Sequence, residues 1–188
     1  MESNLELLKK SLLHNNPNLF IGAGFSLGAN NNTIPNGRDL SKKILSELLN
    51  YSPTSEEFKQ LKEYSLPKIC SYTTTKVGKD KLYQYLQSVF QNINPAPFHF
   101  SFSKYPWSKI FSTNIDDVVE NVYTKSNQDL IIQNSRYCST KINKNSPELF
   151  KLHGCVNNID EGIIFDEEEY INSLLDIQAV SYTHLTLP

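Results

Sequence analysis

The chain has 188 residues, of which 39% are hydrophobic and 20% are charged, and its formal net charge is -2. This length can bury a sizeable core in one domain, and the near-neutral charge excludes the basic surface typical of nucleic-acid binding. No apolar run is long enough to span a bilayer, so we expect neither nucleic acid nor a membrane as a partner.

The three cysteines, Cys70, Cys138 and Cys155, are odd in number and form no C-x-x-C pair. This pattern disfavours both a disulfide framework and a four-cysteine zinc site, so we expect no bound metal. Residues 1–13 have the pattern of an amphipathic helix rather than of a signal peptide. These features predict a protein of the reducing cytoplasm.

The first half of the chain begins with one short strand and continues mainly as helices. Residues Leu19–Ile21 predict a buried strand, which runs into the glycine turn "GAGFSLG" at residues 22–28. Apolar residues then recur at helical spacing over 39–49. A helix-rich block over about 51–90, broken near Gly78, predicts a helical insertion.

The second half alternates short apolar runs with helical patterns. Strands that alternate with helices indicate a parallel sheet. We therefore predict an α/β fold, with a Rossmann-like parallel sheet, helices on both faces and a helical insertion. The predicted strands here are 110–112, 130–133, 149–152 and 163–165, and the predicted helices are 114–123 and 166–175.

The glycine turn is the first candidate for a ligand site. Gly22 and Gly24 can adopt backbone angles closed to other residues, and Ala23 keeps the turn slim. A phosphate could therefore approach backbone N–H groups here. The alternative is a tight turn between a strand and a helix, because the pattern departs from G-x-G-x-x-G.

The second candidate is "STNID", residues 112–116, where a predicted strand ends. The Asp116 carboxylate suits paired ribose hydroxyls, and the Asn114 amide can both donate and accept hydrogen bonds. The alternative is that Thr113 or Asn114 only caps the helix that follows.

The third candidate is His153 in "KLHG", which follows the strand predicted at 149–152. Histidine is the side chain best suited to proton transfer near neutral pH. The alternative is a histidine that makes only structural hydrogen bonds.

Parallel pairing would bring these three motifs together. Ligands of open parallel sheets bind outside the carboxyl ends of the strands, and Gly22, Asn114 and His153 each follow a predicted strand. Three separate structural explanations would otherwise have to coincide at one edge of the sheet. The sequence therefore predicts one shared ligand site.

The motifs "GAGFS", "STNID" and "KLHG", in this order, look like the signature of sirtuin-like NAD-binding domains, and the resemblance covers about residues 19–170. It implies that NAD+ binds across the strand ends, that the glycine turn cradles its phosphates and that Asn114 and Asp116 meet the nicotinamide ribose. It also implies that His153 is the base. The implied NAD+-binding residues are Gly22, Ala23, Gly24, Ser26, Thr113, Asn114, Asp116 and His153, and the implied catalytic residues are His153 and Asn114.

Departures from the pattern select a branch of this family. The chain lacks the two C-x-x-C pairs of the zinc module found in deacetylase sirtuins. Its loop "IPNGRD" at 34–39 also lacks the aromatic residue that the corresponding proline-phenylalanine-arginine loop of those deacetylases carries. The departures resemble the prokaryotic branch whose members hydrolyse NAD+, often as antiphage effectors.

The expected function is therefore an NAD+ hydrolase that releases nicotinamide and ADP-ribose, with NAD+ as the substrate. Asn114 would orient the nucleophile and His153 would take its proton. Two alternatives stay open: an NAD-dependent protein deacetylase or ADP-ribosyltransferase, and a non-catalytic sensor that binds NAD or ADP-ribose. Nicotinamide release without an acceptor would separate these classes.

The last residues, "VSYTHLTLP" at 180–188, resemble the translation of an adapter used in DNA sequencing libraries. We therefore expect one sirtuin-like domain over 1–179 that is truncated at its C-terminus, followed by a non-native tail. A missing C-terminal sensor or effector domain would be a partner of this domain, and self-association into a homo-oligomer is left open.

Overall fold

A computed structural model of the chain describes residues 4, 6, 7, 9, 10, 16–134 and 146–175. The chain divides into two compact units. The first is drawn from Met1–Ile34 and Asn92–Cys155, and the second from Pro35–Gln91 and Val156–Pro188. None of the helices within these described ranges has the length and apolar character that a membrane span needs.

The first unit is built on a parallel sheet. Its strands pair in the order β1-β2-β4-β3, and all three pairings are parallel. Because parallel neighbours need crossover connections, the chain passes through other elements between β1 and β2 and between β2 and β4. This confirms the predicted α/β, Rossmann-like fold. The strands are β1 (Leu19–Ile21), β2 (Lys109–Ser112), β3 (Ile131–Asn134) and β4 (Glu148–Lys151).

The helices of the described residues belong to both units. Those of the first unit are short and flank the strands of the sheet, whereas those of the second unit include the two longest. In chain order they are α1 (Ala23–Ser26), α2 (Gly37–Lys43, continued by a π-helical turn at Ile44–Leu48), α3 (Glu56–Leu61), α4 (Leu66–Val77), α5 (Lys79–Phe90), α6 (His99–Phe102), α7 (Val118–Lys125) and α8 (Glu167–Leu175).

One face of the sheet packs against α7. Ile21, Ile110 and Leu149 come from β1, β2 and β4, and they form a buried cluster with Val119 and Tyr123 of α7. Side chains two apart in a strand share a face, so the alternate positions of β2 and β4 point the other way. This packing fixes α7, and with it the loop between β2 and α7, against the sheet.

The helix-rich block predicted over 51–90 contains α3, α4 and α5. Gly78 separates α4 from α5 with φ 89°, a backbone angle that favours glycine, so the predicted break is confirmed. The second unit begins at Pro35, earlier than the predicted insertion. The predicted non-native tail at 180–188 lies outside the described residues.

Residues 163–165 do not form the predicted fifth strand. Ile163 and Ile164 are buried in the second unit, as their apolarity suggests, but the Phe165 N–H donates to Glu169 Oε2 at 2.7 Å. Asp166 and Glu169 also cap each other, through N–H donors at 3.0 and 2.8 Å. The apolar run therefore leads into the capped start of α8 instead of pairing with a strand.

Candidate functional site

Three strands end level with one another at one edge of the sheet. Ile21, Ser112 and Lys151 are the last residues of β1, β2 and β4, and they are paired in register. The pairing continues by one residue, because the Thr113 N–H donates to the Ile21 carbonyl at 3.2 Å and the Leu152 N–H donates to the Ser112 carbonyl at 2.8 Å. The three predicted motifs therefore begin at the same edge.

A hydrogen-bonded network joins the glycine turn to "STNID". Ser26 Oγ donates to Asp116 Oδ2 at 2.6 Å, and Asn114 Nδ2 donates to Ser26 Oγ at 2.9 Å. Asn114 Nδ2 also donates to the Gly22 carbonyl at 2.9 Å. Residues separated by about 90 positions in the sequence thus form one polar cluster.

The network fixes which way the Asn114 amide points. The Gly22 carbonyl can only accept a hydrogen bond, so the atom that faces it must be the amide nitrogen. Both N–H groups are then used, by Gly22 and Ser26, and the amide oxygen is left as the acceptor for a ligand or a water. Asn114 also does not cap α7, which begins at Val118 rather than at the predicted residue 114.

The two neighbouring aspartates have different partners. Asp116 Oδ1 accepts from the Val118 N–H at 3.1 Å, while its Oδ2 faces Ser26. The buried Asp117 carboxylate instead accepts from the Asn92 and Ile93 N–H groups, at 2.7 and 2.9 Å. Asp117 therefore holds a distant loop, whereas Asp116 belongs to the polar cluster at the strand ends.

His153 lies on the same edge and contacts the "STNID" segment. A hydrogen bond joins it to the backbone of Thr113. Burial lowers the pKa of His153 below its usual 6.5, and the bond to Thr113 opposes this only in part. The imidazole is therefore neutral at pH 7, which is the form that can accept a proton.

The glycine turn leaves open space at Gly24. A Cβ built there would meet no atom within 4 Å, so the packing of the described structure gives no reason for a glycine. Gly28 is different, because its φ is +87° and a Cβ there would lie 2.9 Å from Phe98 Cε1. Gly22 would place a Cβ 3.4 Å from Thr113 Oγ1. Of these three glycines, only Gly28 is required by its backbone angle and its packing, and Gly24 has the most open surroundings.

Ser26 is only 1% exposed, and its hydroxyl is committed to Asn114 and Asp116. In this arrangement the Ser26 side chain stabilises the polar cluster and does not point toward solvent. Ala23, Thr113 and Asp116 lie in the same segments, so the structure brings all the predicted site residues to one edge of the sheet.

Two further buried polar side chains need an account. The sequence marks His99, between Phe98 and Phe100, as a lesser candidate that is partly packed, and it does not single out Lys151. His99 is fully buried; its Nδ1 accepts from the Ala96 N–H at 2.9 Å, so its Nε2 carries the proton and donates to the Phe25 carbonyl at 2.6 Å. The other is Lys151, which is buried at the end of β4. A lysine inside the apolar run "LFKL" was the available signal for it.

The described residues contain no group of three or more His, Cys, Asp or Glu side chains that could hold a metal ion. Cys70 and Cys155 are both buried. Cys138 lies outside the described residues, so the expectation that no zinc is bound stays a prediction.

Comparison with known families adds one match. Residues 108–186 match the model of the SIR2-like domain family. The matched segment contains Asn114, Asp116 and His153, whereas the glycine turn precedes it. The match supports a sirtuin-like domain and is compatible with an NAD-dependent enzymatic activity. No curated protein matches the chain.

Proposed function

We propose that the chain is an NAD+ glycohydrolase, which cleaves the bond between nicotinamide and ribose to give nicotinamide and ADP-ribose. The observation that carries the proposal is the edge where Asn114, Asp116 and His153 meet across β2 and β4, beside the open backbone of Gly24. This edge is where open parallel sheets bind ligands. The SIR2-like match over 108–186 supports NAD+ as that ligand.

In the proposed complex, the turn of Gly22, Ala23 and Gly24 approaches the phosphates of NAD+. The absence of a side chain at Gly24 permits this approach. Asp116 and the Thr113 segment meet the nicotinamide ribose. Ser26 keeps Asn114 and Asp116 in place, because its hydroxyl bonds to both. This role differs from the phosphate contact that the family resemblance implies for Ser26.

The proposed reaction needs one base and one positioned water. The water oxygen bonds to the ribosyl carbon, the carbon–nitrogen bond breaks, and nicotinamide leaves as a neutral ring with the bonding electron pair. The Asn114 amide oxygen orients the water, since its N–H groups are already used. His153 takes the proton, and a positioned base contributes roughly 10²–10⁴-fold to the rate. None of these steps uses a metal.

The test is nicotinamide release from NAD+ by the purified protein with no acceptor present. A hydrolase produces nicotinamide and ADP-ribose in equal amounts. Turnover that appears only when an acylated peptide or a protein acceptor is added would identify a deacetylase or an ADP-ribosyltransferase. Binding of NAD+ with no turnover under either condition would identify a sensor and contradict the proposal.

We also infer that the hydrolase acts as a prokaryotic antiphage effector. This inference is supported by the lack of a C-x-x-C zinc module, which the sequence shares with the NAD+-depleting branch that it resembles. Cells that carry the intact gene should lose NAD+ after phage infection, and His153→Ala cells should not. Equal NAD+ levels in the two infected cultures would contradict this role.

A further inference from the structure

A lysine and a glutamate are buried together next to the candidate site. Lys151 is the last residue of β4 and is 1% exposed, and Glu120 lies on α7 with an exposed fraction of 7%. Lys151 Nζ lies 3.2 Å from Glu120 Oε1. The same ammonium donates to the backbone carbonyl of Asp116. The pair therefore contacts the loop that carries the polar cluster.

Stability alone is a weak explanation for this pair. Removing two charges from water is costly, and well-packed apolar residues often replace a buried ion pair without loss of stability. The pair is also incompletely satisfied, because Glu120 Oε2 is buried and has no hydrogen-bond partner in the described part of the chain. Cys155 Sγ, a weak donor, lies 3.5 Å from the other oxygen.

The lysine is charged in this environment. Burial by itself lowers the pKa of Lys151, but the Glu120 carboxylate and the nearby Cys155 and Asp116 more than offset this, so the net direction is upward. Burial raises the pKa of Glu120 above its usual value, and Lys151 offsets this rise only in part. The 3.2 Å contact with a charged ammonium favours the carboxylate form of Glu120.

The ammonium links the two halves of the candidate site. Asp116 is two residues beyond Asn114, and Lys151 is two residues before His153. The contact from Lys151 to the Asp116 carbonyl therefore fixes the loop that carries Asn114 relative to the turn after β4 that carries His153. Glu120 fixes the ammonium in turn.

We propose that Lys151, held by Glu120, is a positioning residue that sets Asn114 and Asp116 in the correct place relative to His153. This inference rests on the proposed hydrolysis of NAD+ at that site. Lys151 does not touch the substrate; it acts through the Asp116 peptide. The competing explanation is an ion pair that serves only the stability of the fold.

A double variant separates the two explanations. Lys151→Met alone would leave Glu120 buried without a counter-charge, so loss of the fold would obscure its effect. Glu120→Leu with Lys151→Met removes both charges and fills their volume with apolar side chains. We expect this double variant to fold with a melting temperature close to that of the wild-type chain.

The first readout is hydrogen exchange, which does not depend on turnover. The Asn114 N–H donates to Ser112 Oγ at 3.1 Å and the Val118 N–H donates to Asp116 Oδ1 at 3.1 Å. The exchange rates of these two amides therefore measure how well the loop between β2 and α7 is ordered. We expect them to exchange faster in the folded double variant. Unchanged exchange at both amides overturns the proposal, and so does a double variant that cannot fold, because the pair would then serve the fold itself.

The second readout is NAD+ turnover. Misplacement of reacting groups by about 1 Å can cost roughly 100-fold in rate, so we expect kcat to fall by that order while KM changes little. Wild-type kcat in the folded double variant overturns the proposal. If the wild-type chain itself does not hydrolyse NAD+, the proposed function fails and the exchange measurement alone decides the role of Lys151. Lys79→Met, which removes the lysine of the ion pair with Glu169 at 2.7 Å, is the matched control and should keep wild-type kcat.

Discussion

At the scale of single residues, the proposed reaction depends on the neutral form of His153. Its pKa lies below 6.5 because burial disfavours the imidazolium. We expect kcat/KM for NAD+ to be constant at neutral pH and to fall on the acid side, with a midpoint below 6.5. The measurement is the pH dependence of kcat/KM. A midpoint above 6.5 would contradict the role of His153 as the base.

The same shift makes the stability of the fold depend on pH. The unfolded chain binds a proton at His153 near pH 6.5, whereas the folded chain binds it only at lower pH. The contribution of neutral His153 is therefore complete above pH 6.5 and is lost as the pH falls through the folded pKa. Urea unfolding should show wild-type stability falling on acidification relative to His153→Gln. A pH-independent difference between the two proteins would contradict the shift.

Gly24 and Gly28 form a matched pair of test positions. Gly24→Val places a side chain in open space, so we expect a folded protein that binds NAD+ more weakly. Gly28→Ala forces a side chain at φ +87° and against Phe98, so we expect a loss of about 1–3 kcal/mol in the free energy of unfolding. Calorimetric titration with NAD+ and chemical denaturation measure the two effects. Unchanged NAD+ affinity in folded Gly24→Val would make that glycine turn purely structural.

At the scale of elements, the two adjacent aspartates in the loop between β2 and α7 have different partners. Asp117→Ala leaves the Asn92 and Ile93 N–H groups without acceptors, so we expect a loss of about 1–3 kcal/mol in stability with NAD+ affinity retained by the folded protein. Asp116→Ala should weaken NAD+ binding more than it lowers stability. Denaturation and calorimetry on both variants check this. If Asp116→Ala and Asp117→Ala weakened NAD+ binding equally, the two aspartates would not have separate roles and both would act through the structure of the loop.

The same loop shows why its helix starts later than predicted. The sequence "TNIDD" reads as a cap followed by helix, because Asn and Asp favour such positions. Asn114 bonds instead to Gly22 and Ser26, and Asp117 bonds to Asn92 and Ile93. These partners are distant in the sequence, so no local pattern reveals them. Tertiary hydrogen bonds here override the local preference.

Strand predictions depend on whether the apolar run meets another strand. The runs that became β2, β3 and β4 were located to within one residue, because each is short, apolar and followed by polar residues or glycine. The run at 163–165 has the same composition. It differs only in its next residues, where Asp166 and Glu169 form a reciprocal cap that takes up the local N–H groups. The capping pattern was the signal that this run leads into a helix.

At the scale of the whole molecule, the alternation of strands and helices was sufficient to predict the fold. Parallel pairing then placed the ends of β1, β2 and β4 at one edge without further assumptions. The contacts that support these strand ends were not predictable in this way. Ser26, His99 and Lys151 reach partners in other segments, and their chemistry is that of ordinary buried polar groups. Sequence patterns therefore locate the motifs at the strand ends better than the contacts that hold those motifs in place.

The last prediction tests whether the strand ends act as one site. Asn114 and His153 are proposed to act on the same water, so Asn114→Ala and His153→Ala should each lower kcat by roughly 10²–10⁴-fold while NAD+ still binds. Their double variant should be little slower than the slower single variant, because residues that act as a unit are not additive.

The measurement is NAD+ consumption by the wild-type chain and the three variants, normalised to the folded fraction from circular dichroism. His99→Ala is the structural control: its loss removes the bond to the Phe25 carbonyl and should lower the melting temperature. If His153→Ala behaves in the same way, with a lower melting temperature but near-wild-type turnover per folded molecule, His153 is structural and the base lies elsewhere. If turnover is lost while binding and folding persist, then "STNID" and "KLHG" act on one substrate, and the polar residues at the end of β2 are explained by that substrate and not by the start of α7.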